Sequence, residues 1–336
     1  MLSKLLKFIY TIPLKKRIVV MFFGQPMKYL SFLLLLQCFF VSVNAASVTE
    51  YFGENYGVIY SPPKTSKSDI INRLEVIESS VGLRYNKEVK RYINSFVKGG
   101  RRSTEKIIGR SAIYFPIFEY YLDLYNLPSD LKFLAIVESA LEPGAVSPKG
   151  AGGLWQFIRS TARLYGLEIN SYVDERYDIH KSSEAAVRLL SDLYDLYGDW
   201  SLAIAAYNSG TVNINKAIKK SGSRDFWKIR KHLPKETREY VPKFIAVSYV
   251  MNYYHFYDLR PEYPDYNLQL TAVTKVYDRY SFKQLASDSG ISLDLIKQLN
   301  PSFKKQIIPP SVEGYNLILP RIGLASTFEY ELFGLK

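Results

Sequence analysis

Apolar residues recur at three- and four-residue steps through most of the chain, the period of an α-helix with one buried face. Ile70, Leu74, Ile77 and Val81 set the pattern, and Val89, Tyr92, Ile93 and Phe96 continue it. It predicts helix from Ile70 to Leu127, broken at Gly99-Gly100-Arg101-Arg102-Ser103 and resumed through Tyr114, Phe118 and Tyr121. Pro128-Ser129-Asp130 signals a helix start and Pro143-Gly144 an end, so a helix over Ser129–Leu141 is expected. Ser182 or Ser183 is expected to cap another, with Ala186, Leu190, Leu193 and Tyr197 as its stripe and Gly198 as its stop. Asp199 opens the next, which runs to Gly210. Pro242 suits the first turn of a last helix through Phe244, Val247 and Val250. Beyond Arg260 the period changes to two: Leu270, Ala272, Thr274 and Val276 alternate as in a strand. Helices are expected around Phe282, Leu285 and Ala286 and around Leu293, Ile296 and Leu299, before Tyr315–Pro320 closes as a second strand. Strand, helix, helix, strand in so short a span reads as a separate small module.

Composition narrows the picture. The 336 residues allow two or three compact units, and 47% hydrophobic content is enough for a core. The first 45 residues hold six of the 44 basic residues and none of the 32 acidic ones, which leaves +6 on the remainder. Lys28 precedes YLSFLLLLQCFFVSV, and Val43-Asn44-Ala45 ends in a small residue. This basic, apolar, small order is that of a secretory signal peptide, and Met27 is an alternative start. A membrane anchor is the competing reading, with an apolar run short of the ~20 residues that spanning needs. The one cysteine, Cys38, falls inside this segment, so the exported chain would have no thiol chemistry. His180, His232 and His255 are scattered without metal-ligand spacing. Ser61-Pro62-Pro63-Lys64-Thr65-Ser66 reads as a linker.

One polar residue sits in the wrong place for a plain core helix. Leu131, Leu134, Glu138 and Leu141 are spaced by three, four and three, so Glu138 lies within the apolar stripe. A carboxylate there is poorly hydrated, and its pKa should rise. A carboxylic acid kept neutral near pH 7 can donate a proton to a leaving group, the device of carbohydrate-cleaving sites. Periodicity alone equally allows a structural acid paired with a buried cation. Gly150, Gly152 and Gly153 follow, and would let backbone approach a ligand closely.

Several separated strings, in order, then carry a resemblance: VES followed by GAVSPKGAGGLWQF, then AAYNSG, then ETREYVPKFIA. Over roughly Tyr92 to Tyr257 the chain resembles the peptidoglycan lytic transglycosylases of lysozyme-like fold, in particular the membrane-bound lytic transglycosylase D group. The resemblance implies a mainly α fold: after the signal peptide read at 1–45 and a linker and helical extension at 46–105, a lysozyme-like (SLT) catalytic domain at 106–262. The βααβ unit at 267–320 resembles a degenerate LysM module, with Arg279-Tyr280 where a Gly-Asp pair is usual. By the same resemblance Glu138 is the sole catalytic acid and base. Ser147 and Gln156 line the sugar cleft, Tyr207 and Asn208 contact the saccharide, and Tyr240 orients the glutamate. Trp155 and Tyr207 also have a reading as core aromatics, and Gln156 as a helix cap. Val212 stands where relatives carry a second glycine and cannot readily take positive φ, so the loop there should follow a different path.

The implied reaction is non-hydrolytic. The acid protonates the oxygen between N-acetylmuramic acid and N-acetylglucosamine. The muramic acetamido group stabilises the anomeric centre, and the resulting carboxylate takes the C6 hydroxyl proton to close a 1,6-anhydro ring. No cofactor or metal is required. Glycosidases with two carboxyl groups hold them roughly 5–9.5 Å apart. Glu142, one helical turn on from Glu138, is the nearest second acid, but it sits beside Pro143, where the helix ends and solvent is near, and Asp174 and Glu175 pair more naturally with Arg176. A muramidase-type hydrolase and a non-catalytic peptidoglycan-binding protein are the alternative functions. The implied partners are peptidoglycan glycan strands, with cell-wall enzymes or the envelope membrane as further candidates. A spread +6 on an exported chain gives no support to nucleic-acid binding.

Overall fold

The computed structural model describes residues 65–321. The expected signal peptide with Cys38, and the linker and extension up to residue 64, lie outside the described residues. Ser66, read as linker, instead caps α1 (Lys67–Val76): its hydroxyl accepts from Asp69 N and the Asp69 carboxylate accepts from Ser66 N. The expected helix does not continue through Ile77; the chain runs irregularly to Asn86, which caps α2 (Lys87–Asn94). The break expected at Gly99 is a π-turn over Ser95–Gly99, after which α3 (Arg101–Leu124) runs on, its face of Tyr114, Phe118 and Leu122 fully inside.

The helix expected over Ser129–Leu141 is shorter and composite. Ser129–Phe133 is 3₁₀, and only Leu134–Ser139 is α-helical (α4). Ala140 and Leu141 both take left-handed backbone, at φ 54° and 59°, so the helix stops at Ser139, four residues before Pro143. Burial of the Leu141 side chain, which has no exposed surface, offsets the strain of two non-glycine residues in that region. A turn through Ser147–Phe157 leads to α5 (Arg159–Leu164) and then to a 3₁₀ turn at Glu175–Tyr177.

The expected cap at Ser182 or Ser183 is corrected to Asp178, whose carboxylate accepts from His180 N and Lys181 N to open α6 (Ile179–Tyr197). Both serines are buried inside that helix, and Ser183 Oγ donates back to Ile179 O at 2.5 Å, the local bond that lets serine sit mid-helix. Gly198 ends α6 in left-handed backbone, and Asp199 caps α7 (Trp200–Ser209) through Leu202 N. Gly210, at φ 78°, turns directly into α8 (Thr211–Ser221). Val212 therefore needs no positive φ; it stands on the first turn of a helix, exposed. A short α9 (Phe226–Ile229) follows.

Pro242 is likewise not at a helix start: α10 spans Lys235–Tyr253 with the proline inside. A proline there frees the carbonyl four residues back. That carbonyl, Arg238 O, accepts from Arg230 Nε at 2.7 Å, so the interior position is tolerated. Helix α10 packs against α2, α4 and α7 and forms the centre of the main core.

The C-terminal pattern appears as expected. After α11 (Tyr266–Gln269), β1 (Thr271–Val276) pairs antiparallel with β4 (Tyr315–Pro320), Thr271 opposite Pro320 and Val276 opposite Tyr315. Between them lie β2 (Tyr280–Ser281), α12 (Phe282–Ser289), α13 (Leu293–Leu299) and β3 (Ile307–Ile308), with β2 and β3 forming a second short pair that alternation did not reveal. Their apolar faces make a second core, which includes Val173 from the preceding helical region. Leu299 and Ile318 in turn belong to the main core.

Candidate active site

A groove of about 650 Å³ runs along the helical region, and Glu138, Ser147, Gln156, Tyr207, Asn208 and Tyr240 all line it. Helix α4 delivers Glu138 from its last turn, the 147–157 turn delivers Ser147 and Gln156, α7 delivers Tyr207 and Asn208, and α10 delivers Tyr240. Glu138 is deep in the molecule yet half-buried, because its carboxyl meets the groove. Burial pushes its pKa up to about 7. The bond from Tyr240 OH, donated to Oε1, opposes the rise by stabilising the carboxylate. The Glu236 carboxylate adds to it and Lys243 opposes it more weakly.

The neighbours of the acid are themselves fixed. Tyr240 is buried, and its phenol is pushed well above the usual range by loss of hydration and by the facing carboxyl. It therefore stays a donor. Tyr207 OH donates to Trp155 O at 2.8 Å. Trp155 is wholly buried against Phe118, and its indole N–H donates to Ser183 Oγ at 3.0 Å; it supports the groove from the core side. Asn208 Oδ1 accepts from Thr237 Oγ1 at 2.9 Å, which fixes the orientation of its amide. Gln156 sits at φ 49°, and its amide donates to Gly153 O at 2.8 Å and Ala145 O at 3.2 Å, bracing the turn without capping a helix. Ser147 Oγ accepts from Ala151 N at 3.0 Å.

The glycines of this turn serve a different purpose from the one expected. A Cβ on Gly153 would lie 1.9 Å from Arg176 O, and one on Gly152 would lie 2.6 Å from Tyr177 OH. They admit the protein's own 3₁₀ turn. Only Gly150 faces open space, at φ 78°.

Glu142 is not a partner for Glu138. It lies beyond the end of α4, ion-pairs with Arg110, and lines a separate cavity with Arg110 and His180. Asp174 forms a buried pair with Arg176, while Glu175 accepts from Glu168 N at 2.7 Å. The groove's other carboxylates are exposed: Glu236 pairs with Lys149 at 3.5 Å and Asp192 accepts from Tyr165 OH at 2.6 Å. Glu236 and Lys243 escaped the reading of single residues. Their signal was present, since Glu236, Tyr240 and Lys243 are spaced by four and three and share one face of α10. Among the described residues no group of histidine, cysteine and acidic side chains could hold a metal ion.

Residues 116–230 match the family described as "Transglycosylase SLT domain", and residues 271–329 match "Lytic transglycosylase MltD, LysM-like domain". Two stretches of the chain are thus similar to an SLT domain and to a LysM-like module. Membrane-bound lytic murein transglycosylase D of Escherichia coli K12 is 36% identical over 198 residues, covering 57% of this chain and 43% of that protein. Membrane-bound lytic murein transglycosylase F of Klebsiella pneumoniae is 31% identical over 127 residues, 33% of this chain and 23% of that protein. The chain thus spans less than half the length of these curated relatives. Among solved structures, the 70 kDa soluble lytic transglycosylase of Escherichia coli is similar at 25% identity and a TM-score of 0.37, covering 42% of this chain and 24% of that one. The SLT match takes in Glu138, the 147–157 turn and the Tyr207-Asn208 pair; Tyr240 lies ten residues past its end.

Proposed function

We propose that the protein is a peptidoglycan lytic transglycosylase, cleaving the β-1,4 bond between N-acetylmuramic acid and N-acetylglucosamine without water and leaving 1,6-anhydro ends. The observation that carries this reading is a groove-facing Glu138 whose pKa is pushed up to about 7. A group poised near neutrality can give a proton to the glycosidic oxygen and, as carboxylate, take one from the C6 hydroxyl. Tyr240 orients it by holding Oε1. Ser147, Gln156, Tyr207 and Asn208 contact the glycan. The remaining groove carboxylates are exposed and already paired, which favours one acid acting twice over a pair of carboxylates.

The same reading takes 106–262 as the catalytic domain, 46–105 as a linker and helical extension and 267–320 as the LysM-like unit, with 1–45 directing export to the periplasm or envelope. None of the described helices is long and apolar enough to cross a membrane. Mass spectrometry of sacculi digested with wild type and with Glu138→Gln tests the proposal. Anhydro-muropeptides from wild type alone are expected. Reducing muramic ends would mean a hydrolase, and equal lack of release by both proteins would mean a binding protein without activity.

A further inference from the structure

The turn that carries Ser147 and Gln156 is gathered by one side chain from elsewhere. Arg176 is buried, and its Nη1 donates to Gly150 O at 2.7 Å and to Phe157 O at 3.0 Å, drawing two separate parts of the turn together. Gly152 and Gly153 exist without Cβ atoms where Arg176 and Tyr177 pass. The other edge of the guanidinium is held by Asp174, Nε to Oδ1 at 2.9 Å and Nη2 to Oδ2 at 2.8 Å. A fork so engaged has one position, unlike a lysine ammonium.

Asp174 is in turn seated by the LysM-like module. Its backbone N–H donates to Ser302 O at 2.9 Å, and Lys304 N–H donates to Tyr172 O at 2.8 Å. Val173 bridges to Phe303 and is buried in the module's own core with Phe282, Leu285 and Leu317. On the neighbouring segment, Tyr315 OH donates to Glu168 at 2.7 Å, and Asn316 donates to the Asp178 cap at 3.2 Å.

We propose that the LysM-like module is a fixed brace of the groove: through Val173 and Phe303 it seats Arg176, and Arg176 is a positioning residue that holds the 147–157 turn in register with Glu138. The face of the module at Ser302–Lys304 is spent on this contact; Ser302 and Phe303 are buried there. The catalytic consequence rests on the proposed function, whereas the mechanical one does not.

The test uses the full chain and the variants Phe303→Ala, Val173→Ala and Arg176→Lys. Hydrogen exchange is followed at the amides of Gly152, Gly153 and Gln156, which donate to Phe157 O, Ala145 O and Gly153 O, with the amides of α7 as reference. All three variants are expected to exchange faster in the turn by about tenfold or more while α7 is unchanged, and KM for glycan strands is expected to rise by a similar factor. The pH midpoint set by Glu138 should stay in place. Turn amides that exchange as in wild type, or that quicken only in step with α7, would overturn the brace. Should Phe303→Ala not fold, the milder Val173→Ala and the charge-retaining Arg176→Lys decide alone. If wild type releases no anhydro product, the proposed function falls and the exchange measurements still decide the brace.

Discussion

Near neutrality Glu138 is divided between its two protonation states, so buffer alone sets how much of the protein holds the proton that the proposed cleavage needs. Activity is expected to fall as pH rises through about 7. Tyr240→Phe removes the donor that favours the carboxylate, so the basic limb of the pH–rate profile should move upward even as the rate drops through lost orientation. Stability follows the same group. A carboxyl whose folded pKa lies above the unfolded value costs nothing below the unfolded pKa, and its penalty is complete once pH exceeds the folded one. Raising pH from 4.5 through about 7 therefore destabilises wild type relative to Glu138→Gln. Urea denaturation at the two ends of that window should show the gap between variant and wild type widening by roughly 2–3 kcal/mol in the variant's favour. A constant gap would mean that Glu138 is well hydrated.

At the scale of elements, the 147–157 turn separates two kinds of glycine. Gly150→Ala meets no neighbour and bears only its positive φ, a cost of about 1 kcal/mol. Gly153→Ala drives a methyl into Arg176 O and should cost more than about 3 kcal/mol; thermal melts of the pair check the contrast. This distinction was not legible in the sequence, because the segment the glycines admit lies more than twenty residues on. What the sequence did disclose was local. Gly198 as a stop, Asp199 as a cap and the alternation of β1 each depend on a few adjacent residues. Several of the misreadings turned on a partner outside the segment being read. Ser182 and Ser183 gave way to Asp178, whose carboxylate is also held by Asn316. Pro242 was accommodated mid-helix by Arg230. Helix α4 stopped early because Leu141 had somewhere to be buried. Likewise the stripe at Leu131, Leu134 and Glu138 placed the acid in an apolar wall, but only the fold supplies Tyr240 to hold it and Glu236 to bias it.

Over the whole molecule, the two hydrophobic clusters exchange residues: Val173 lies in the smaller one, and Leu299 and Ile318 in the larger. Units that share side chains lose each other's packing when either opens, so the region from residue 65 to 321 should unfold together. Scanning calorimetry of the full chain is expected to give one endotherm for it, with calorimetric and van't Hoff enthalpies in agreement; two well-separated endotherms would show that the clusters melt independently. The shared residues also bear on engineering. Small C-terminal modules are attractive parts to exchange between chains, and a designer would cut in the connection between Arg260 and Leu270. Here that incision would take Phe303 out from beside Val173, so a transplanted cassette would have to bring a matching plug for the socket it leaves behind.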